Sequence, residues 1–448
     1  MPGLSAGRRV ASSEERPPGP ATGRADGRDY DDVLAYLYGL EARRGWDLKL
    51  ERVRRALVRL GSPERAYPSL LVAGTNGKGS TAALVHAALS AAGRRVGLFT
   101  SPHLVHFAER IRIGDAEISP AEVVAGVERI RAVAPPEETG LTFFEMATLL
   151  ALLAFAERGV DAAVLEVGLG GRLDATNAVE PLASAIVSIG LDHEDYLGSG
   201  LASIAREKAG VMRPGRATVL GADLRPEAAA ALEAVAGRTG ARLVRAAADP
   251  GPEVELALAG AHMRRNAAVA GALLEELAAV EPGLRVSPEE RRRGFASVRW
   301  PGRLAVVGRD PLVLCDGAHN REAVEALLAA LPGVCGARRP GLVFGALADK
   351  PWREMAARLA EVAAEVVVVP VPHPRAVAPE VVATAFPPGR VSVHPASSAE
   401  AVLELTRRDA GRPILVTGSL FLVGSLYADL LARSGGSSVF ADLRGAAA

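Results

Sequence analysis

The stretch Gly74-Thr75-Asn76-Gly77-Lys78-Gly79-Ser80 constrains the fold of this chain more than any other. An apolar run, Ser69–Ala73, leads into it, and an Ala- and Leu-rich helical pattern over residues 81–92 leads out. A strand that passes through glycines into a helix presents backbone N–H groups and the positive end of a helix dipole to a phosphate. Lys78 adds a point charge, and Ser80 a hydroxyl that can reach a metal. The spacing departs from the common G-x-x-x-x-G-K-[ST], because the lysine stands two positions before the serine. The plain alternative is a glycine-rich turn with no ligand. A strand, a lysine and a hydroxyl together favour the phosphate reading.

Strand–helix alternation continues on both sides of this loop. Residues 69–73, 96–100, 162–167, 185–189 and 217–220 read as strands, with helices over 81–92, 143–158 and 204–211 between them. A helical pattern over 30–60 precedes them and ends at Gly61-Ser62-Pro63. Ser119-Pro120-Ala121-Glu122 has the N-cap, first-turn proline and acid of a helix start. After a turn at Trp300-Pro301-Gly302 a second alternation begins. Its strands fall at 312–315, 342–344, 366–369, 391–393 and 414–417, and its helices start at Arg321, Trp352, Ala399 and Phe421. The expectation is an α/β chain with a mostly parallel sheet covered on both faces, followed by a smaller α/β unit. The domains divide as a disordered tail over 1–29, a first unit over 30–298 and a second over 299–448.

With 52 Lys+Arg against 52 Asp+Glu, no global field draws nucleic acid or an anionic membrane, so any anion must be captured locally. Two cysteines make no disulfide framework and fit a reducing cytoplasm; Cys315, inside an apolar run, reads as a buried inert thiol. No stretch reads as a membrane span, and the first 29 residues hold no apolar core of a secretory signal.

Ligands in open α/β sheets bind beyond the carboxyl ends of strands, and the polar segments of this chain fall there. Glu166 closes an apolar strand, where a carboxylate is costly unless exposed, paired or bound to a cation. It reads as a Mg²⁺ ligand, or else as the partner of Arg172. His193, in Leu191-Asp192-His193-Glu194-Asp195, follows another strand among carboxylates and reads as a metal or phosphate contact rather than a packing residue. Thr100-Ser101-Pro102-His103-Leu104 places a hydroxyl and an imidazole near the loop mouth. Thr142-Phe143-Phe144-Glu145 caps a helix and offers two rings that suit a flat ligand or an ordinary core equally. Lys208, on a short helix, reads on its own as a solvated charge. Asp316-Gly317-Ala318-His319-Asn320 and Thr417-Gly418-Ser419 are further polar strand ends.

Together these segments resemble the Mur ligase superfamily of ATP-dependent acid–amino acid ligases, most closely its folylpolyglutamate synthase and dihydrofolate synthase members. The resemblance covers residues 30–430 and rests on nine segments in order: 74–80, 101–104, 142–145, 165–177, 192–193, 206–210, 301–303, 316–320 and 417–419. It implies a P-loop ATPase domain, a Rossmann-like C-terminal domain and an active site in the cleft between them. Thr75, Asn76, Gly77, Lys78, Gly79 and Ser80 would hold the ATP phosphates. Ser101, Glu166 and His193 match Mg²⁺ ligands, and Lys208 matches a lysine that is carbamylated in the family. Asn266, Arg303 and Asp316 match nucleotide contacts, and His319 a position serving the nucleotide or the incoming glutamate. Asp47, Leu48, Thr142, Phe143, Phe144, Glu145, Leu173, Asp174 and Ala175 match contacts to a pteroate. ATP, Mg²⁺, a folate or dihydropteroate and L-glutamate are the implied cofactors and substrates, with a monomer as the default and with neither nucleic acid nor membrane as partner. A cell-wall peptide ligase would need a nucleotide-sugar domain that does not fit in the N-terminal 30 or so residues. A GTP-dependent switch would need an Asn-Lys-x-Asp segment, which does not occur.

Overall fold

The computed structural model describes residues 29–44, 48–394 and 397–434; the tail expected over residues 1–29 lies, but for Asp29, outside them, as does Asp47. Among the described residues fourteen strands form two sheets. The first contains β1 (Ser69–Ala73), β2 (Val96–Phe99), β3 (Ile111–Ile113), β4 (Ala116–Glu117), β5 (Ala162–Glu166), β6 (Ala183–Ile186), β7 (Ala217–Leu220) and β8 (Arg242–Arg245), in the order β4-β3-β2-β5-β1-β6-β7-β8. All pairs are parallel except β2–β3 and β3–β4. The second contains β9 (Ala305–Arg309), β10 (Leu312–Asp316), β11 (Gly341–Phe344), β12 (Glu365–Val368), β13 (Val391–Val393) and β14 (Ile414–Thr417), in the order β13-β12-β11-β14-β10-β9. Only β9 runs antiparallel there.

The continuous apolar runs of the sequence are what two-sided coverage requires. On β1, Leu71 and Ala73 enter one hydrophobic cluster while Leu70 and Val72 enter the cluster on the opposite face. The second sheet repeats this: Leu314, Leu342 and Phe344 face one layer, and Val313, Cys315 and Val343 the other. Cys315 is fully buried, and burial pushes its thiol far up from the ordinary range. Among the described residues no helix is long and apolar enough to cross a membrane.

The structure departs from the sequence reading in several places, among them β9 and the helices Pro226–Thr239, Ala261–Val280 and Pro288–Ser297, which were not read from sequence. The helical pattern over 30–60 is two helices, Tyr30–Arg44 and Leu50–Arg59, interrupted at Lys49 by an extended φ of −138°. The strand expected over 185–189 begins at Ala183 and ends at Ile186. Its continuation is pulled off the sheet because Ser188 turns to bond the 74–80 loop. The short strands β3, β4 and β8 were not legible: two or three residues of β3 and β4 carry no period, and β8 is a polar edge.

Thr142 and Glu145 form a capping box at the head of the helix Phe143–Glu157. Glu145 also receives Arg52 Nε at 2.9 and 2.7 Å, tying Leu50–Arg59 to this helix inside the protein. Burial raises the Glu145 carboxyl and Arg52 opposes that rise. Arg52→Met leaves the carboxylate buried without its cation, and should lower stability by about 3 kcal/mol at pH 7 in urea unfolding. The folded-state pKa of Glu145 is then raised further, so the deficit should shrink as pH falls through it. An unchanged urea midpoint would show that the pair contributes nothing.

Candidate active site

The carboxyl ends of β1, β5 and β6, with the segment after β2, bring the loop residues together. Gly77 is the left-handed N-cap (φ 84°) of the helix Lys78–Ala91. Thr81 N–H donates to Gly77 O as the first helical rung. The amides of residues 78–80 therefore have no intrahelical acceptor, which is the arrangement that receives a phosphate. The loop is fastened before any nucleotide arrives. Thr75 N–H donates to Ser188 O at 2.9 Å, Thr75 Oγ1 exchanges bonds with Gly190, and Asn76 N–H donates to Ser188 Oγ at 2.9 Å. Lys78 Nζ rests on Thr75 O at 3.2 Å. A Cβ at Gly77 would stand 2.5 Å from Asn266 Oδ1, besides being strained at that φ. Gly77→Ala should thus weaken ATP binding by about tenfold or more in calorimetry, and lower stability by about 1–3 kcal/mol. Wild-type affinity in that variant would contradict this loop geometry.

Glu166 is 5 % exposed and its Oε2 accepts the Ser101 amide at 2.9 Å. Burial raises its carboxyl; Lys78, the Ser101 amide, Arg303 and Arg110 oppose that rise. The alternative partner Arg172 is engaged elsewhere, with Glu207 at 2.9 Å, so the ion pair to Glu166 does not form. A Cβ on Gly79 would lie 3.2 Å from Glu166 Oε2, which sets the carboxylate against the start of the phosphate helix.

His193 has a left-handed backbone (φ 54°), and its ring is lowered to about 4, by burial first, with Lys350, Lys78 and Lys208 adding to it against Asp192. The imidazole is therefore neutral at pH 7 and able to donate a lone pair. Among the described residues no three His, Cys, Asp or Glu side chains gather as a metal cage. The Ser101 hydroxyl, the Glu166 carboxylate and the His193 imidazole nonetheless fit a hard divalent ion that takes its remaining ligands from phosphates and water.

Lys208 corrects the reading made from its own surroundings. It is 4 % exposed rather than solvated, and its Nζ donates to Gly74 O at 2.9 Å. Burial, then the nearby Lys78, lowers it to about 7.

The second unit closes the site from the other side. Asp316 accepts Leu304 N–H at 2.7 Å and Ala318 N–H at 2.8 Å, shaping the turn that carries Arg303. Burial raises its carboxyl and Arg303 opposes this. His319 Nδ1 bonds Gly317 O at 2.8 Å, and burial followed by Lys350 lowers the ring to about 4. Asn320 Nδ2 donates to Asn76 Oδ1 at 3.0 Å, so the phosphate loop is touched directly from the second unit, at the N-cap of the helix Arg321–Cys335. Lys350 pairs with Asp192 at 2.8 Å across the same cleft. Burial would raise Asp192, but Lys350 and His193 take it well below the carboxylate range. Lys350 and Ser188 were not singled out from sequence, and Asn320 and Asp192 were read only as members of polar strand ends, without a role of their own. Lys350 stands shortly after the end of β11, where the strand-end rule could have found it.

The residues matched to a pteroate are scattered. Leu48 and Leu173 line a cleft of about 820 Å³ together with Lys49, Gly140 and Arg172. Asp174 is fully buried: Oδ2 accepts Leu169 N–H, while Oδ1 accepts Thr176 N–H and its hydroxyl, and Ala175 is buried beside it. Phe143 packs against Tyr38 and Phe107, and Phe144 lies against Phe99. Thr142 and Glu145 are engaged in the cap.

Models of the Mur ligase middle domain and of the Mur ligase glutamate ligase domain match residues 72–224 and 302–420. The folylpolyglutamate synthase of Lacticaseibacillus casei is 33 % identical over 433 residues, covering 90 % of this chain and 99 % of that protein. The chain belongs to the folylpolyglutamate synthase/dihydrofolate synthase family of Mur ligases. The dihydrofolate synthase/folylpolyglutamate synthase of Escherichia coli is 38 % identical to this ligase over 331 residues, 71 % of the chain and 76 % of that protein. E. coli FolC in complex with DHPP and ADP superimposes with a TM-score of 0.80 at 33 % identity, covering 90 % of the ligase and 98 % of FolC. The bifunctional Yersinia pestis enzyme complexed with AMPPNP and a Mn ion gives 0.79 at 34 % identity, over 91 % and 100 %.

Proposed function

We propose that this ligase uses ATP and a divalent cation to join L-glutamate to reduced folates and to dihydropteroate, through an acyl phosphate. The observation that carries this reading is the pairing of an open phosphate helix with a buried carboxylate, Glu166, under a second unit that reaches the same loop through Asn320 and Asn76. The substrate's carboxylate attacks the γ-phosphate, giving an acyl phosphate and ADP; the glutamate amine then displaces phosphate and forms the amide.

The amides of residues 78–80 and the Lys78 ammonium hold the phosphates and offset charge on the transferring group. Thr75, Asn76, Gly77, Gly79 and Ser80 complete that cradle. Ser101, Glu166 and His193 would hold the cation, which when bound neutralises phosphate charge. Asn266, Arg303 and Asp316 serve the nucleotide, Arg303 directly and Asp316 by shaping its turn. His319, a neutral ring beside Lys350, serves the incoming amine. Leu48, Phe143, Phe144 and Leu173 contact the pteroate; Thr142, Glu145, Asp174 and Ala175 hold the walls from which they do so. A neutral Lys208 amine, available because its pKa is near 7, reacts with CO₂ to a carbamate that carries negative charge towards the cation. We assign residues 30–298 to ATP and acid binding and 299–448 to amino-acid ligation. The two buried free cysteines support a cytoplasmic enzyme, and one chain supplying every named group supports a monomer.

Oxygen tracing tests the chemistry. With ¹⁸O in the acid's carboxylate, an acyl phosphate delivers one labelled oxygen to the released phosphate. Unlabelled phosphate would exclude that intermediate.

A further inference from the structure

Arg110 lies beside the segment after β2, whose Ser101 gives its amide to the buried Glu166 carboxylate. It turns its side chain towards Phe143, one of the residues proposed to contact the pteroate. Its guanidinium stands 5.0 Å over the ring of Phe143. It is 7 % exposed and is held from two sides. Thr100 N–H donates to its carbonyl at 2.9 Å, next to Ser101, and its own Nε–H donates to His103 Nδ1 at 2.8 Å.

His103 is itself fixed. A ring nitrogen that accepts from a guanidinium carries no proton, so the proton of the neutral ring is on Nε2. Nε2 lies 3.5 Å from Tyr38 Oη, and the ring meets Phe107 edge-on. The loop carrying His103 is wrapped on Glu109, whose carboxylate accepts the amides of Leu104, Val105 and His106 at 2.7, 2.8 and 2.6 Å. A buried arginine clamped this firmly is preorganised for a partner of opposite charge. At this place the acid substrate brings an anion towards two others, Glu166 and the γ-phosphate, and a cation on the acid's own side is what the charge balance needs.

We infer that Arg110 receives the carboxylate of the acid that is to be activated, and that His103 is its positioning residue. The inference rests on the proposed function for the identity of the acid. Nothing in the sequence points to Arg110, which sits in a one-turn 3₁₀ segment, Phe107–Arg110, without a motif of its own.

Calorimetry on the full chain with ADP present, titrating dihydropteroate and separately its primary carboxamide, tests this. The wild type should bind the acid about tenfold more tightly than the carboxamide. Arg110→Gln should weaken the acid by about tenfold while the carboxamide stays within about twofold, so the preference vanishes. Arg110→Lys, which keeps the charge and loses the tether to His103, should fall between. His103→Phe should weaken the acid in the same selective way, and His103→Gln, which restores an acceptor, should recover part of the loss. Unchanged ADP affinity shows that each variant is folded. Equal weakening of acid and carboxamide, or an undiminished preference in Arg110→Gln, overturns the inference. Those results leave the proposed function standing as long as the wild type still ligates glutamate; a wild type that ligates glutamate to no pteroate acid overturns the function instead.

Discussion

Lys78→Ala should lower kcat for ligation by about a thousandfold while the protein stays folded. Lys78 opens the helix Lys78–Ala91 and is only half buried, and its Nζ contact is with the neighbouring Thr75 carbonyl rather than with the core. Removing it therefore takes a charge from the transferring phosphate without opening a cavity. Circular dichroism and the melting temperature should match the wild type. Turnover within tenfold of wild type would show that the loop binds something other than the reacting phosphates.

The second large effect concerns Lys208. Lys208→Ala should cost at least about a hundredfold in kcat, because a buried group of this chain that can carry the carbamate charge is lost. In the wild type the effect has a pH signature. Lysine ordinarily titrates at 10.5, and burial brings Lys208 to about 7. Below pH 7 the amine is protonated in both folded and unfolded chains and cannot take up CO₂, so activity should fall as pH drops through 7. Between pH 7 and 10.5 the unfolded chain binds the proton that the folded one has lost, so this group makes stability rise with pH across that window. Stripping bicarbonate should depress wild-type activity reversibly and leave Lys208→Ala unaffected. An intact-mass spectrum lacking the added CO₂, together with activity indifferent to bicarbonate, would refute the carbamate.

Much of this site could be read before any coordinates. Gly77 and Lys78 announced a phosphate loop because glycine at a strand–helix turn has a specific conformational use, and Glu166 stood out because a carboxylate ending an apolar strand needs a reason. The helix heads at Pro120 and Phe143 were legible from their caps. Lys208 was not, because a charge on a short helix looks solvated until the helix is packed against the 168–177 loop. Nor were the Arg52–Glu145 pair, the Asn76–Asn320 bridge and the Asp192–Lys350 pair. Each joins residues from 93 to 244 positions apart, and only the tertiary fold sets such distances. The end of β6 was misplaced for the same reason: Ser188 leaves the sheet to serve a loop more than a hundred residues earlier.

The most direct test is ADP release by the full chain with ATP, Mg²⁺ and L-glutamate, with either dihydropteroate or tetrahydrofolate as the acid. At least one acid should stimulate ADP release, with one ADP for each amide formed, and only when glutamate is present for turnover. A folded, ATP-binding chain whose ADP release is indifferent to both acids would contradict the proposed function.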